Sequence, residues 1–217
     1  MLDPNQKDSK HPFGRPVPCP ACNNATVIGF DSDLTKLTKT ERAYSFTNLI
    51  ADRSNLDTIA MLKALTAQTQ PTGFYYIHGP LGTGKSRLVI TTANQCRHRD
   101  LSVCYGSASA IADYIKDAMR TGDDLRARMR EIATIHVLAI DDWDRLMHHE
   151  FTRSVMHELF DTRYRMAAEA LTIVGSNQAP DECEPYINDR LSDRHAVTCI
   201  ALAETSWRPP VTDWIKD

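Results

Sequence analysis

The sequence predicts an α/β fold, a five-stranded parallel sheet flanked by helices, with a short irregular arm at its N-terminus. Three observations carry that reading. Short apolar runs alternate with helical stretches along most of the chain. One of these runs passes directly into a glycine-rich phosphate loop, and another ends in two aspartates.

The first segment, residues 1–39, holds Pro4, Pro12, Pro16, Pro18 and Pro20 and has little hydrophobic period, so it reads as an irregular arm. Residues 40–217 read as the globular core. "NLDTIAMLKALTAQ" spaces Leu56, Ile59, Ala60, Leu62 and Leu65 as a helix does, with Asn55 placed to cap it. The strand-like runs are "FYYIH" (74–78), "SVCYG" (102–106), "IHVLAI" (135–140), "LTIVG" (171–175) and "AVTCIA" (196–201). Between the third and fourth, "FTRSVMHELFDTRYR" sets Phe151, Val155, Leu159 and Phe160 on one helix face. Strands alternating with helices in this way form a parallel sheet covered on both faces.

Bulk composition removes several classes. A net charge of −3 in 217 residues argues against a surface coated with basic charge for indiscriminate nucleic-acid binding. No apolar run reaches the roughly 20 residues that span a bilayer, and the polar N-terminus lacks the apolar segment of a signal peptide. The expected setting is the reducing cytoplasm, with no membrane partner and the six cysteines as thiols. Cys96, Cys104, Cys183 and Cys199 fall in the expected core. Cys19 and Cys22 have zinc-ligand spacing in "CPAC", yet a structural site needs four ligands and His11 is the other nearby candidate. The stretch 113–131 balances five bases against five acids and suits a solvated helix face as well as a nucleic-acid contact.

"GPLGTGKSR" carries the chemistry. Gly79, Gly84, Lys85 and Ser86 fit the phosphate-loop pattern G-x-x-x-x-G-K-[ST], and the run from Gly79 through Pro80, Leu81, Gly82, Thr83, Gly84, Lys85 and Ser86 to Arg87 is the expected nucleotide-binding segment. Glycines let backbone N–H groups converge on phosphate oxygens at a helix N-terminus. Lys85 would reach the outer phosphates of ATP and the Ser86 hydroxyl would ligate Mg²⁺. At the end of "HVLAIDD", Asp141 is the second candidate Mg²⁺ ligand. Asp142 is either the general base that polarises water or a cap of the next turn, and Asp144 is the alternative base. Asn177, after the fourth strand, is either a contact to the terminal phosphate or attacking water or an ordinary turn asparagine. Arg190 and Arg194, in "NDRLSDR", are candidate arginine fingers for a neighbouring subunit, or solvated surface arginines.

Taken together, "GPLGTGKSRLV", "VLAIDDWDR", "FDTRYR", "LTIVGSNQAPDE" and "NDRLSDR" resemble the AAA+ ATPases, above all the DnaC/DnaI helicase loaders and the IstB transposition ATPases. The resemblance runs from about Tyr44 to Pro209. It implies an AAA+ phosphate-loop core without the usual helical lid, Asn177 as the sensor-1 residue, and Arg190 as the arginine finger. Asp189 departs from the serine usual in that motif, and Arg194 is the finger if the alignment slips. Without a lid the second sensor arginine is missing, and Arg208 is a weak substitute for it. The function implied is slow ATP hydrolysis, stimulated by DNA or a partner, in a helicase loader that binds single-stranded DNA and a replicative helicase and forms an ATP-dependent homo-oligomer. A transposition helper, whose partner would be a transposase, is the alternative. A small-molecule kinase and a module that holds nucleotide without turnover stand further off.

Overall fold

The computed structural model describes Leu34 and residues 37–50, 55–148 and 150–202. The arm's Cys19 and Cys22 lie outside these residues, as does Arg208. Five parallel strands form one sheet: β1 (Gly73–His78), β2 (Val103–Ser107), β3 (Val137–Asp141), β4 (Leu171–Ser176) and β5 (Val197–Ala201), in the order β2-β3-β4-β1-β5. The expected runs are all present, with bounds moved by a residue or two. Register pairs Tyr76 of β1 with Val174 of β4 and Cys199 of β5, and Ala139 of β3 with Ile173 of β4.

Both faces of the sheet are buried along β2, β3 and β4, which is why those strands read as near-continuous apolar runs, whereas β1 is only partly buried and edge strand β5 is mostly exposed beyond Val197. Leu138 and Ile140 turn to one face, against α4 (Ala108–Thr121), α5 (Leu125–Ala133) and α6 (Glu150–Arg165). Val137 and Ala139 turn to the other, against α2 (Leu56–Ala67) and α3 (Lys85–Arg97). A short α1 (Lys39–Arg42) opens the described core with a capping box between Thr38 and Glu41. Just before it, Leu34 is buried on the first face and Leu37 on the second. Core packing therefore reaches into the segment that its composition marks as arm.

Several local expectations need correction. The stretch 113–131 is two helices. Gly122, at φ 76°, ends α4 in the left-handed conformation that glycine adopts readily, and Asp124 accepts from the Arg126 N–H to start α5. Asn55 precedes α2 without a side-chain cap; its amide donates to the Ile50 carbonyl instead. Phe151 is exposed, and Met156 takes its place on the buried face of α6. Cys96, Cys104 and Cys183 are buried as expected, but Cys199 is exposed on the edge strand β5.

Among the described residues, one charged side chain is fully buried. Arg163 on α6 donates to the carbonyls of Ala133, Ile135 and Leu171 and to the Thr172 hydroxyl, tying the end of α5 and the start of β4 together. Burial pushes its pKa down to about 10, so it remains charged at neutral pH.

Candidate nucleotide site

The strand order decides what meets at the rim. Because β4 lies between β1 and β3, the carboxyl ends of the phosphate-loop strand and the acid-bearing strand flank the end of β4. Ligands of open parallel sheets bind beyond those strand ends.

The loop from β1 to α3 is already shaped. Gly79, Gly82 and Gly84 have φ of 146°, 85° and 93°, which side-chain-bearing residues rarely adopt. A Cβ on Gly79 would also stand 2.7 Å from the Leu202 carbonyl oxygen. Lys85 is the first residue of α3, and its Nζ donates to the Gly79 and Pro80 carbonyls at 2.7 Å each. The Thr83 hydroxyl donates to the same Pro80 carbonyl at 2.9 Å. Leu81, between them, is exposed.

Asp141 closes β3 and is buried. Burial raises its carboxyl above the ordinary range; the Ser86 hydroxyl opposes that rise, the Asp142 charge adds to it, and the Asp142 backbone N–H and Tyr105 hydroxyl oppose it again. The Tyr105 oxygen lies 3.4 Å from Asp141 Oδ2. On the neighbouring strand, a Cβ on Gly175 would stand 2.8 Å from Asp141 Oδ1, so glycine leaves the carboxylate its space. A buried carboxylate beside a serine hydroxyl, with burial disfavouring its charge, is a donor set that a hard divalent cation fits.

The rest of the rim hangs from the short 3-10 turn Trp143–His148. Asp142 precedes it with φ 50°, and its Oδ2 lies 3.4 Å from Arg145 Nη1. Asp144 accepts from the Asn177 backbone N–H at 2.9 Å and from Asn177 Nδ2 at 2.8 Å. Both Asp144 oxygens are thus engaged in fixing Asn177. Lys85, Ser86, Arg87, Asp142, Arg145 and Asn177 share one cavity of about 450 Å³, walled on the N-terminal side by Glu41 and Tyr44. That volume lies within the roughly 300–1,000 Å³ of small-molecule sites.

Arg87 also lines a smaller, mostly apolar pocket with Leu49, Ile50, Thr83 and Leu88. Its guanidinium lies 4.8 Å from the Tyr44 ring centre and donates to the Asn48 carbonyl at 2.6 Å. Tyr44, Tyr105, Gly175 and the Asp144–Asn177 pair escape a motif search because each depends on which segments become neighbours. Arg190 does not line the cavity. It lies on α7 (Pro185–Leu191), its Nε 3.1 Å from Asp161 Oδ1 and its guanidinium over the Tyr186 and Tyr164 rings at 4.9 and 5.4 Å. Burial works against the Asp161 charge, but Tyr186, Arg190 and Arg165 together hold its pKa below the ordinary range. Arg194 is exposed beside a separate cleft along β5.

A sheet in which β4 parts the phosphate-loop strand from the acid-bearing strand, with a lysine, a serine and two aspartates at its rim, has the arrangement of an AAA+ ATPase core. The family model for the bacterial DnaA ATPase domain matches residues 40–201, and the chain belongs to that family. It is 28% identical over 119 residues to the chromosomal replication initiator protein DnaA of Aquifex aeolicus, covering 55% of this chain and 29% of that protein. The chain thus spans less than a third of the curated relatives it matches. Among solved structures, AMPPCP-bound DnaA from Aquifex aeolicus has a TM-score of 0.64 at 21% identity, covering 74% of this chain and 49% of that one. The DnaC helicase loader has a TM-score of 0.61 at 13% identity, covering 76% of this chain and all of that one. At these identities the structural likeness speaks for the fold.

Proposed function

We propose that the chain is an ATP-dependent replication ATPase that delivers a replicative helicase to single-stranded DNA. The observation that carries the reading is the convergence of Lys85, Ser86, Asp141, Asp142 and Asn177 at one rim, in a chain of the DnaA ATPase family. The family points to replication, and the fold shared with the DnaC helicase loader covers all of that solved chain and 76% of this one.

In this reading, the loop N–H groups and Lys85 bind the phosphates of ATP, with Lys85 giving up its two carbonyl partners to do so. Ser86 and Asp141 hold Mg²⁺, which would supply charge stabilisation at the phosphates. Asp142 accepts the proton of the attacking water, and Asn177, held by Asp144, orients that water. The apolar pocket beside Arg87 takes the base. Asp142 is one methylene shorter than the glutamate usual at this place in hydrolytic phosphate-loop ATPases, which makes turnover slow. Arg190 serves the ATP site of a neighbouring copy, which requires it to leave Asp161 as an oligomer forms. The arm grips the partner, with zinc at Cys19 and Cys22 as a proposed element of that grip, and the protein works in the cytoplasm.

The family match favours a second reading, an ATPase that assembles on single-stranded DNA without a helicase. DnaA itself has been solved with AMPPCP and single-stranded DNA. Co-precipitation of the purified chain with a replicative helicase, with and without ATP, separates the two. ATP-dependent helicase capture supports the loader; retention of single-stranded DNA with no helicase selects the second reading.

A further inference from the structure

The turn after β3 brings to the rim a cation that none of these roles uses. Arg145 shares the cavity with Lys85, Ser86, Asp142 and Asn177. Its backbone N–H donates to the Asp142 carbonyl at 3.1 Å, and its Nη1 lies 3.4 Å from Asp142 Oδ2. The side chain is 66% exposed, and ion pairs so open to solvent hold weakly. Arg145 can therefore let go of Asp142 by side-chain rotation while its backbone stays anchored. Arg190 differs on each count: it is 25% exposed, bound to Asp161, packed on two tyrosines and outside the cavity.

We propose that Arg145 is a phosphate-sensing residue that acts within its own chain. The proposal rests on the nucleotide-site reading above. With a nucleoside triphosphate in the cavity, the guanidinium leaves Asp142 for the terminal phosphate, whose oxygens match its planar fork of donors. The same movement uncovers the Asp142 carboxylate for water. A diphosphate lacks the third phosphoryl group, so Arg145 stays on Asp142 and the acid stays covered. The 3-10 turn thus reports which nucleotide is bound. Asp144 keeps the turn's other side fixed on Asn177.

The test is equilibrium titration of the full chain with ADP and with a β,γ-methylene ATP analogue, both with Mg²⁺, for the parent, Arg145→Gln and Arg145→Lys. Arg145→Gln should lose on the order of tenfold in affinity for the triphosphate, the scale of a charged hydrogen bond, and less than about twofold for ADP. Arg145→Lys, which keeps the charge but loses the fork, should fall between. If the parent binds both nucleotides and both variants keep its triphosphate-to-diphosphate ratio, the Arg145 role is wrong and the nucleotide site stands. If the parent binds neither nucleotide, the site reading fails and takes the proposal with it.

Discussion

Replacing Asp144 by alanine removes the acceptor of both Asn177 donors, at 2.9 Å to the backbone N–H and 2.8 Å to Nδ2. A buried hydrogen bond to an ionised acceptor contributes about 1.5–3 kcal/mol, and both residues here are half-buried, so about 1 kcal/mol per bond is the working figure. Asp144→Ala should then lose about 2 kcal/mol, which lowers Tm by roughly 4–8 °C in a chain of this size. Asn177→Ala keeps its backbone N–H on Asp144, so a double-mutant cycle of the two isolates the Nδ2 bond. Urea unfolding of the nucleotide-free parent, both single variants and the double variant measures it. A coupling of about 1 kcal/mol is expected. A coupling under about 0.3 kcal/mol, within ordinary additivity, would refute the clamp and with it the reason for assigning Asp144 to positioning rather than to base catalysis.

Two further outcomes follow from the core and the buried acid. A fragment of residues 40–217 should be less stable than one of residues 34–217, because it loses Leu34 and Leu37, each worth about 2–5 kcal/mol as a buried leucine. Thermal melts of the two fragments check this, and equal Tm values would show that those leucines do not bind the core. For Asp141 the folded pKa is raised, so the folded chain holds that proton more tightly than the unfolded chain does. Its ionisation therefore costs stability as pH rises from the unfolded value through the raised folded one. Asp141→Asn should melt above the parent at pH 7 in Mg²⁺-free buffer, because the amide carries no charge for burial to disfavour. The difference should shrink as pH falls below the carboxylate range; a variant that melts at or below the parent at pH 7 contradicts the assigned cause.

What the sequence reveals follows from what is local. The inner strands β3 and β4 are visible because both their faces are covered, β5 shows only as a short apolar run at the edge, and the phosphate loop is visible because its glycines, lysine and serine lie in one short run. The split between α4 and α5 was also written locally, as glycine then aspartate in "TGDD", but the charge balance of the whole stretch hides it. The strand order is not local, so nothing in the runs places β4 between β1 and β3 or sets Gly175 against Asp141. Arg163 reads as one more base on an amphipathic helix, and its burial depends on carbonyls of α5, the loop after it and β4. The same limit applies to Arg190: its motif suggests a free finger, while Asp161, Tyr164 and Tyr186 arrive from elsewhere in the chain to hold it.

The central claim is that the rim between β1 and β3 binds Mg·ATP through Lys85. Calorimetric titration of ATP with Mg²⁺ into the parent and Lys85→Ala, with circular dichroism to establish that both are folded, tests it most directly. The account predicts saturable one-site binding by the parent, weakened at least about tenfold in the variant by loss of a charged contact to the phosphates. Equal affinity in a folded Lys85→Ala chain, or no binding by the parent, would contradict it.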